Sequence, residues 1–177
     1  MDAGNEGGAT LATARTTAKR ASERELVVTR TFNGPARIVF EAWTTPELLK
    51  RWWAPKSMGM TLVSCETDVR PGGSYRFEFG HPDWDQPVAF FGKYIEVTPP
   101  SRLSWTSEES DEGAVTTATF EETGGRTLLT LREVYPSKEA LDGAIAGGQV
   151  AYDMEGGSNE QFEQLDALLA TLVARTA

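Results

Sequence analysis

Two polar side chains in the C-terminal third, Tyr152 and Glu155, are the residues of this chain best placed for chemistry. They stand on a segment that reads as helix from Val150 onward, just upstream of Gly156-Gly157. A carboxylate held against an apolar interior loses hydration and its pKa rises, so it can hold a ligand donor or act as a general acid or base. Tyr152 would add a hydroxyl. The plainer reading of Glu155 is a wet carboxylate at the mouth of a pocket, and both readings stand open at this level.

Other reactive side chains offer less. His81 lies in the turn sequence GHPDWD and reads as a loop histidine, and Cys65 lies mid-strand, where an inert, buried thiol is expected. One cysteine and one histidine cannot build a Cys/His zinc site, and a lone cysteine makes no disulfide within the chain. No Ser-His-Asp order, HExxH, phosphate-binding glycine loop or pair of catalytic carboxylates appears. No catalytic residue, metal or cofactor is therefore expected.

Composition narrows the partners. The chain has 177 residues, enough for one ordinary domain, and is 40% apolar and 10% aromatic, enough to bury a core. Its net charge of −9 repels nucleic acid and acidic membranes. No apolar run is long enough to span a bilayer, and residues 1–24 lack the apolar core of a secretory signal, so a cytoplasmic location is expected by default. That first stretch is rich in Gly, Ala and Thr and reads as a flexible tail; its part from Leu11 to Ser22, acid-free and Arg/Lys/Thr-rich, shares its composition with a transit peptide. The domain is expected over 25–177.

The elements that must position any site follow from periodicity. ELVVTRTF (25–32) reads as the first strand, ended by Asn33-Gly34-Pro35. Two short helices follow, one begun by Pro35 and one with Thr45 as its cap and Pro46 at its first position. Six more strands are expected over Met60–Val69, Ser74–Phe79, Val88–Val97, Arg102–Ser107, Val115–Glu122 and Thr127–Val134. Their links are too short for crossover helices, which makes them an antiparallel meander, seven strands in all. Tyr75, Phe77 and Phe79 alternate with Ser74, Arg76 and Glu78, so one sheet face is apolar. Ser137 caps a helix over KEALDGAIA, and Phe162, Leu165, Leu169 and Leu172 form the stripe of a long amphipathic C-terminal helix that must cover that face. Ser158-Asn159-Glu160-Gln161 has the form of a capping box at which this helix bends or restarts.

The aromatic residues Tyr75, Phe77, Phe79, Phe91, Tyr94, Trp105 and Phe120 come from neighbouring strands and exceed what a thin sheet-helix layer needs. Singly each is ordinary core; together they favour an apolar cavity with a few polar groups. Trp52 and Trp53 end the second short helix and read either as an aromatic gate at the cavity mouth or as core payload.

The ordered motifs TFNGPARIVFEAWTTPELLKRWWAP, DVRPGGSYRFEF, GKYIEVTPPSRLSWT, TATFEETGGRTLLTLRE and YDMEGGSNEQFEQLDALLA carry a resemblance from about Glu25 to Val173. The chain resembles the SRPBCC (START-like, Bet v 1-like) superfamily and, within it, homologues of the activator of heat shock protein 90 ATPase (C-terminal domain). The resemblance implies an α+β helix-grip fold, in which a curved seven-stranded antiparallel sheet wraps a long C-terminal helix around a hydrophobic cavity. In similar sequences a Trp usually follows the Met-Glu-Gly of the last helix; here Gly157-Ser158-Asn159 occupies that region, which would enlarge or open the cavity. Fold alone does not fix function. The leading expectation is a non-enzymatic module binding a small apolar or amphipathic molecule, oriented by Glu155, Tyr94 or Tyr152. The alternatives are a regulator of a chaperone ATPase, which the family name implies, and a cyclase- or hydrolase-type enzyme using Glu155. Exposed edge strands fit a monomer or a homodimer equally.

Overall fold

The computed structural model describes residues 16–147 and 159–176. Its strands are β1 (Thr17–Arg20), β2 (Glu25–Phe32), β3 (Thr61–Thr67), β4 (Ser74–Gly80), β5 (Val88–Thr98), β6 (Arg102–Thr106), β7 (Val115–Thr123) and β8 (Arg126–Val134). Its helices are α1 (Ala36–Thr44), α2 (Pro46–Trp52), α3 (Lys138–Ala146) and α4 (Glu160–Thr176). The strands form one sheet in the order β1-β2-β8-β7-β6-β5-β4-β3, with every pairing antiparallel. Strands β3 to β8 run as the meander that the short links require, and β2 closes onto β8, placing α1 and α2 between β2 and β3. This is a helix-grip fold.

The sheet has eight strands rather than seven. The extra one, β1, falls within the stretch read as a flexible tail: Thr17 pairs with Thr29 and Arg20 with Leu26. What draws it in is polar. Arg30 takes an inward position on β2 and is 3% exposed; its guanidinium donates to Thr16 Oγ1 at 2.9 Å and to the Asp166 carboxylate of α4. Thr16, itself buried, is thus an acceptor that the buried cation needs.

Local sequence explains the remaining elements. Gly124 and Gly125 have φ of 60° and 76°, the left-handed pair that a tight β7–β8 hairpin demands. Thr45 stands at the N-cap of α2 as expected, yet its side chain makes no capping bond; Pro46 alone presets the turn. The α1 N-terminus is served across the fold, since the Ala36 amide donates to Glu122 Oε1 of β7 at 2.7 Å. Ser137 caps α3 by accepting from the Ala140 amide at 3.0 Å. At α4 the cap is Asn159, whose side chain accepts from the Phe162 amide at 3.1 Å.

The core is densest where α1 and α4 lie on β2, β7 and β8. Leu26, Phe32, Val39, Leu129 and Leu165 are fully buried there, and the Phe32 and Phe162 rings meet edge-to-face at 5.6 Å. Towards β4, β5 and β6 the described helices cover the sheet less closely: Trp53 meets Phe77 at 5.7 Å and Trp43 meets Trp105 at 6.0 Å, with open space beside them.

Candidate functional site

At that end lies a half-open cavity of about 1050 Å³, lined among the described residues by α1, α2, α3, the start of α4 and the inner faces of β4 to β8. Its aromatic side is built around Trp43 of α1, whose ring centroid lies 5.0 Å from that of Trp52, 5.5 Å from Trp53 and 6.0 Å from Trp105. The Trp43 indole N–H is buried and has no acceptor atom among the described residues. Trp52 is fixed by donating from Nε1 to the Ala42 carbonyl at 2.9 Å. The first turns of α4 hold the chain beyond α2: Gln164 Nε2 donates to the carbonyls of Trp52 at 2.8 Å and Ala54 at 2.9 Å, Gln161 donates to the Trp53 carbonyl, and Glu160 accepts from the Ser57 amide at 2.7 Å. One helix start therefore sets the position of the tryptophan pair.

The opposite wall depends on a fold in β5. Residues 88–93 pair with β4, while Tyr94–Thr98 pair with β6 across an irregular register. Gly92 sits at the change, where a Cβ would lie 2.0 Å from the Thr106 carbonyl oxygen and 2.9 Å from the Tyr75 hydroxyl. Only glycine permits that close approach, and it lets Tyr75 reach across to donate to Thr106 O at 2.6 Å. Burial holds the phenols of Tyr75 and Tyr94 well above their usual range, so both are neutral.

Of the residues singled out by sequence, Trp52, Trp53, Tyr75, Phe77, Phe79, Tyr94 and Trp105 all line this cavity. Phe91 does not. Along β5 the inward positions are 90, 92 and 94, so Phe91 faces out, 37% exposed under the Arg76 guanidinium, and Phe90 lines the cavity instead. Phe120 is buried behind the wall against Phe40 at 5.5 Å and Trp43 at 6.1 Å. Tyr152 and Glu155 lie outside the described residues.

Sequence reading missed the inward carboxylate. Glu133 of β8 continues the alternation of Leu129 and Leu131, so it faces the cavity, and the next inward residue is Tyr135. The Tyr135 hydroxyl donates to Glu133 Oε2 at 3.3 Å. Burial lifts the Glu133 carboxyl to about 7, against a smaller opposing pull from that hydrogen bond, and keeps the Tyr135 phenol neutral. The signal was present in the sequence as a charged residue on the apolar parity of a strand.

The remaining reactive groups stand apart from chemistry. Cys65 is half-buried, and burial pushes its thiol up to about 11, so little thiolate forms near neutral pH. His81 accepts from the Asp83 amide at 3.0 Å and packs on Trp84 within its turn. Among the described residues no group of three His, Cys, Asp or Glu side chains is arranged to hold a metal ion, and no helix is long and apolar enough to cross a membrane.

Comparison with known proteins agrees with this architecture. A crystal structure of a Rhodobacter sphaeroides protein is 26% identical with a TM-score of 0.76, covering 89% of this chain and 99% of that one. A Nitrosomonas europaea protein is 25% identical with a TM-score of 0.74, covering 88% and 99%. A Mycobacterium smegmatis protein is 26% identical with a TM-score of 0.71, covering 88% and 96%. No curated protein matches the chain. The family described as activator of Hsp90 ATPase homolog 1-like protein matches residues 33–170. With most of its length matched and its helix-grip fold shared, the chain belongs to the activator of Hsp90 ATPase homolog 1-like family of START-like domains.

Proposed function

We propose that the protein is a binding module that takes a small apolar or amphipathic molecule into the cavity between the sheet and its helices. The observation that carries this is the cavity itself: about 1050 Å³ walled by Trp43, Trp53, Tyr75, Phe77, Tyr94 and Trp105. Small-molecule sites are clefts of about 300–1,000 Å³ lined by apolar and aromatic side chains with a few polar groups. The driving force is removal of apolar surface from water, worth roughly 25 cal/mol per Å². Glu133, Tyr135 and Thr116, all in the wall, supply the polar contacts that fix orientation.

The neutral dye N-phenyl-1-naphthylamine tests this reading. Saturable binding of one dye per chain, with a blue-shifted emission, is expected. Gly143 lines the cavity, and a Cβ added there meets nothing within 4 Å. The substitution Gly143→Leu therefore grows into open space and should weaken dye binding by about tenfold while leaving the fold intact, since Gly in a helix costs about 1 kcal/mol relative to good helix formers. Absence of binding, or a Gly143→Leu protein that binds as well as the parent, contradicts the proposal.

A further inference from the structure

We propose that the occupant of the cavity is an amphipathic organic cation, an ammonium group on an apolar body, with Glu133 as its anchor. This rests on the reading above that the cavity binds a small molecule.

Among the described residues four charged side chains line the cavity, Glu109, Glu112, Glu133 and Glu160, and all are acidic, with no Lys, Arg or His beside them. None of the four takes part in an ion pair among the described residues, although nine other pairs form across the molecule. Neutral donors serve three of them: the Phe91 amide donates to Glu109 at 2.8 Å, Ser57 donates to Glu160 from its amide at 2.7 Å and from its hydroxyl, and the Tyr135 hydroxyl donates to Glu133. These contacts hold the side chains in place without neutralising their charge.

Glu133 is half-buried, whereas Glu109 and Glu112 are exposed. It lies opposite Thr116 on β7 and Leu26 on β2, neither of which brings a positive charge. Its neighbour Arg132 is on the other face of the sheet, bonded to Glu25. The one described donor to its carboxylate is the Tyr135 hydroxyl. A half-buried carboxylate facing the cavity with a single neutral donor among the described residues has room for a positive partner, and a ligand cation would supply it. Burial raises the titration of its carboxyl, the direction expected of an acid held partly away from water.

The walls fit the same occupant. Electron-rich faces of Trp43, Trp53, Tyr94 and Trp105 attract a cation as well as an apolar body. An anionic amphiphile would meet only acidic side chains among the described charged residues of the lining, and the chain's net charge of −9 disfavours its approach.

Decylamine, decanol and decanoate share a ten-carbon chain and differ at one end, so displacement of N-phenyl-1-naphthylamine by each at pH 7.5 isolates the head group. The amine is expected to bind at least about 10-fold tighter than the alcohol, and decanoate weaker than either. In Glu133→Gln the amine should fall to within about 3-fold of the alcohol, whose own affinity changes little; the rim substitution Glu112→Gln should shift the amine by no more than about 2-fold. Equal displacement by all three overturns the cation assignment while leaving the cavity reading intact. No displacement, together with no dye binding, removes the cavity reading itself. An amine preference that survives Glu133→Gln overturns Glu133 as the anchor. The head-group comparison in the parent protein needs no variant, so it decides the matter even where Glu133→Gln fails to fold.

Discussion

The two halves of the sheet carry the same alternation of apolar and polar residues, but the described helices pack closely on only one of them. On β2 and β8, Leu26, Phe32 and Leu129 are wholly buried beneath α1 and α4, with Leu165 of α4 likewise at 0% exposure. On β4 and β5, Tyr75 and Phe77 retain 7% and 6%, and Phe90 retains 45%, because what lies above them is cavity. Equal patterning therefore does different work according to the roof. The covered half supplies stability, and the other keeps apolar side chains along the cavity in which a guest is proposed, with Glu133 at the end of β8 on its border.

The strongest way to break this contrast is to cut into the roofed half. Leu165→Ala should lower the unfolding free energy in urea by about 2–5 kcal/mol, the cost of a cavity in a close-packed core, while the folded fraction binds dye normally. Phe77→Ala, on a side chain that already borders open space, should cost less than half of that and weaken dye binding instead. Similar stability losses at the two sites would erase the distinction.

A smaller effect sharpens it through pH. The Glu133 carboxyl has a folded value of about 7 against 4.5 for an ordinary glutamate, with burial as the cause. Between those values the native state holds more protons than the unfolded chain, so stability falls as pH rises through this window and levels off above it. The expected loss is on the order of 2 kcal/mol after allowance for solvent screening, and Glu133→Gln should flatten that part of the profile. A profile identical in parent and variant would mean that this carboxylate is as wet as any on the surface.

The smallest effect separates two neighbours. Phe90→Ala should weaken dye binding several-fold, while Phe91→Ala, on the outer face, should leave binding unchanged and alter stability by only about 0.5 kcal/mol. The reverse order would mean that β5 is shifted by one residue.

How much of this was legible beforehand depended on whether a signal was local. The alternation in β4 and β8, the Pro46 helix start and the stripe of α4 are local patterns, and each produced the element it announced. Phe91 was misassigned because two adjacent phenylalanines leave the parity of a strand undetermined, and Gly92 decides it only through a contact with Thr106 of the next strand. β1 was hidden because its stabilisation comes from Arg30 and Asp166, which are distant in sequence. Glu133 could have been found by extending the alternation past Leu131. A charge on an apolar parity tends to be passed over as a strand end, although it is the more informative observation.

Whether the aromatic cavity is a receptacle is decided by a crystal structure of the protein with N-phenyl-1-naphthylamine. The predicted result is one dye between Trp53 and Trp105, with its edge towards Glu133 and the sheet unmoved. A dye lying outside on the face of Phe91, or an interior already closed by side chains with no room for it, would contradict the account.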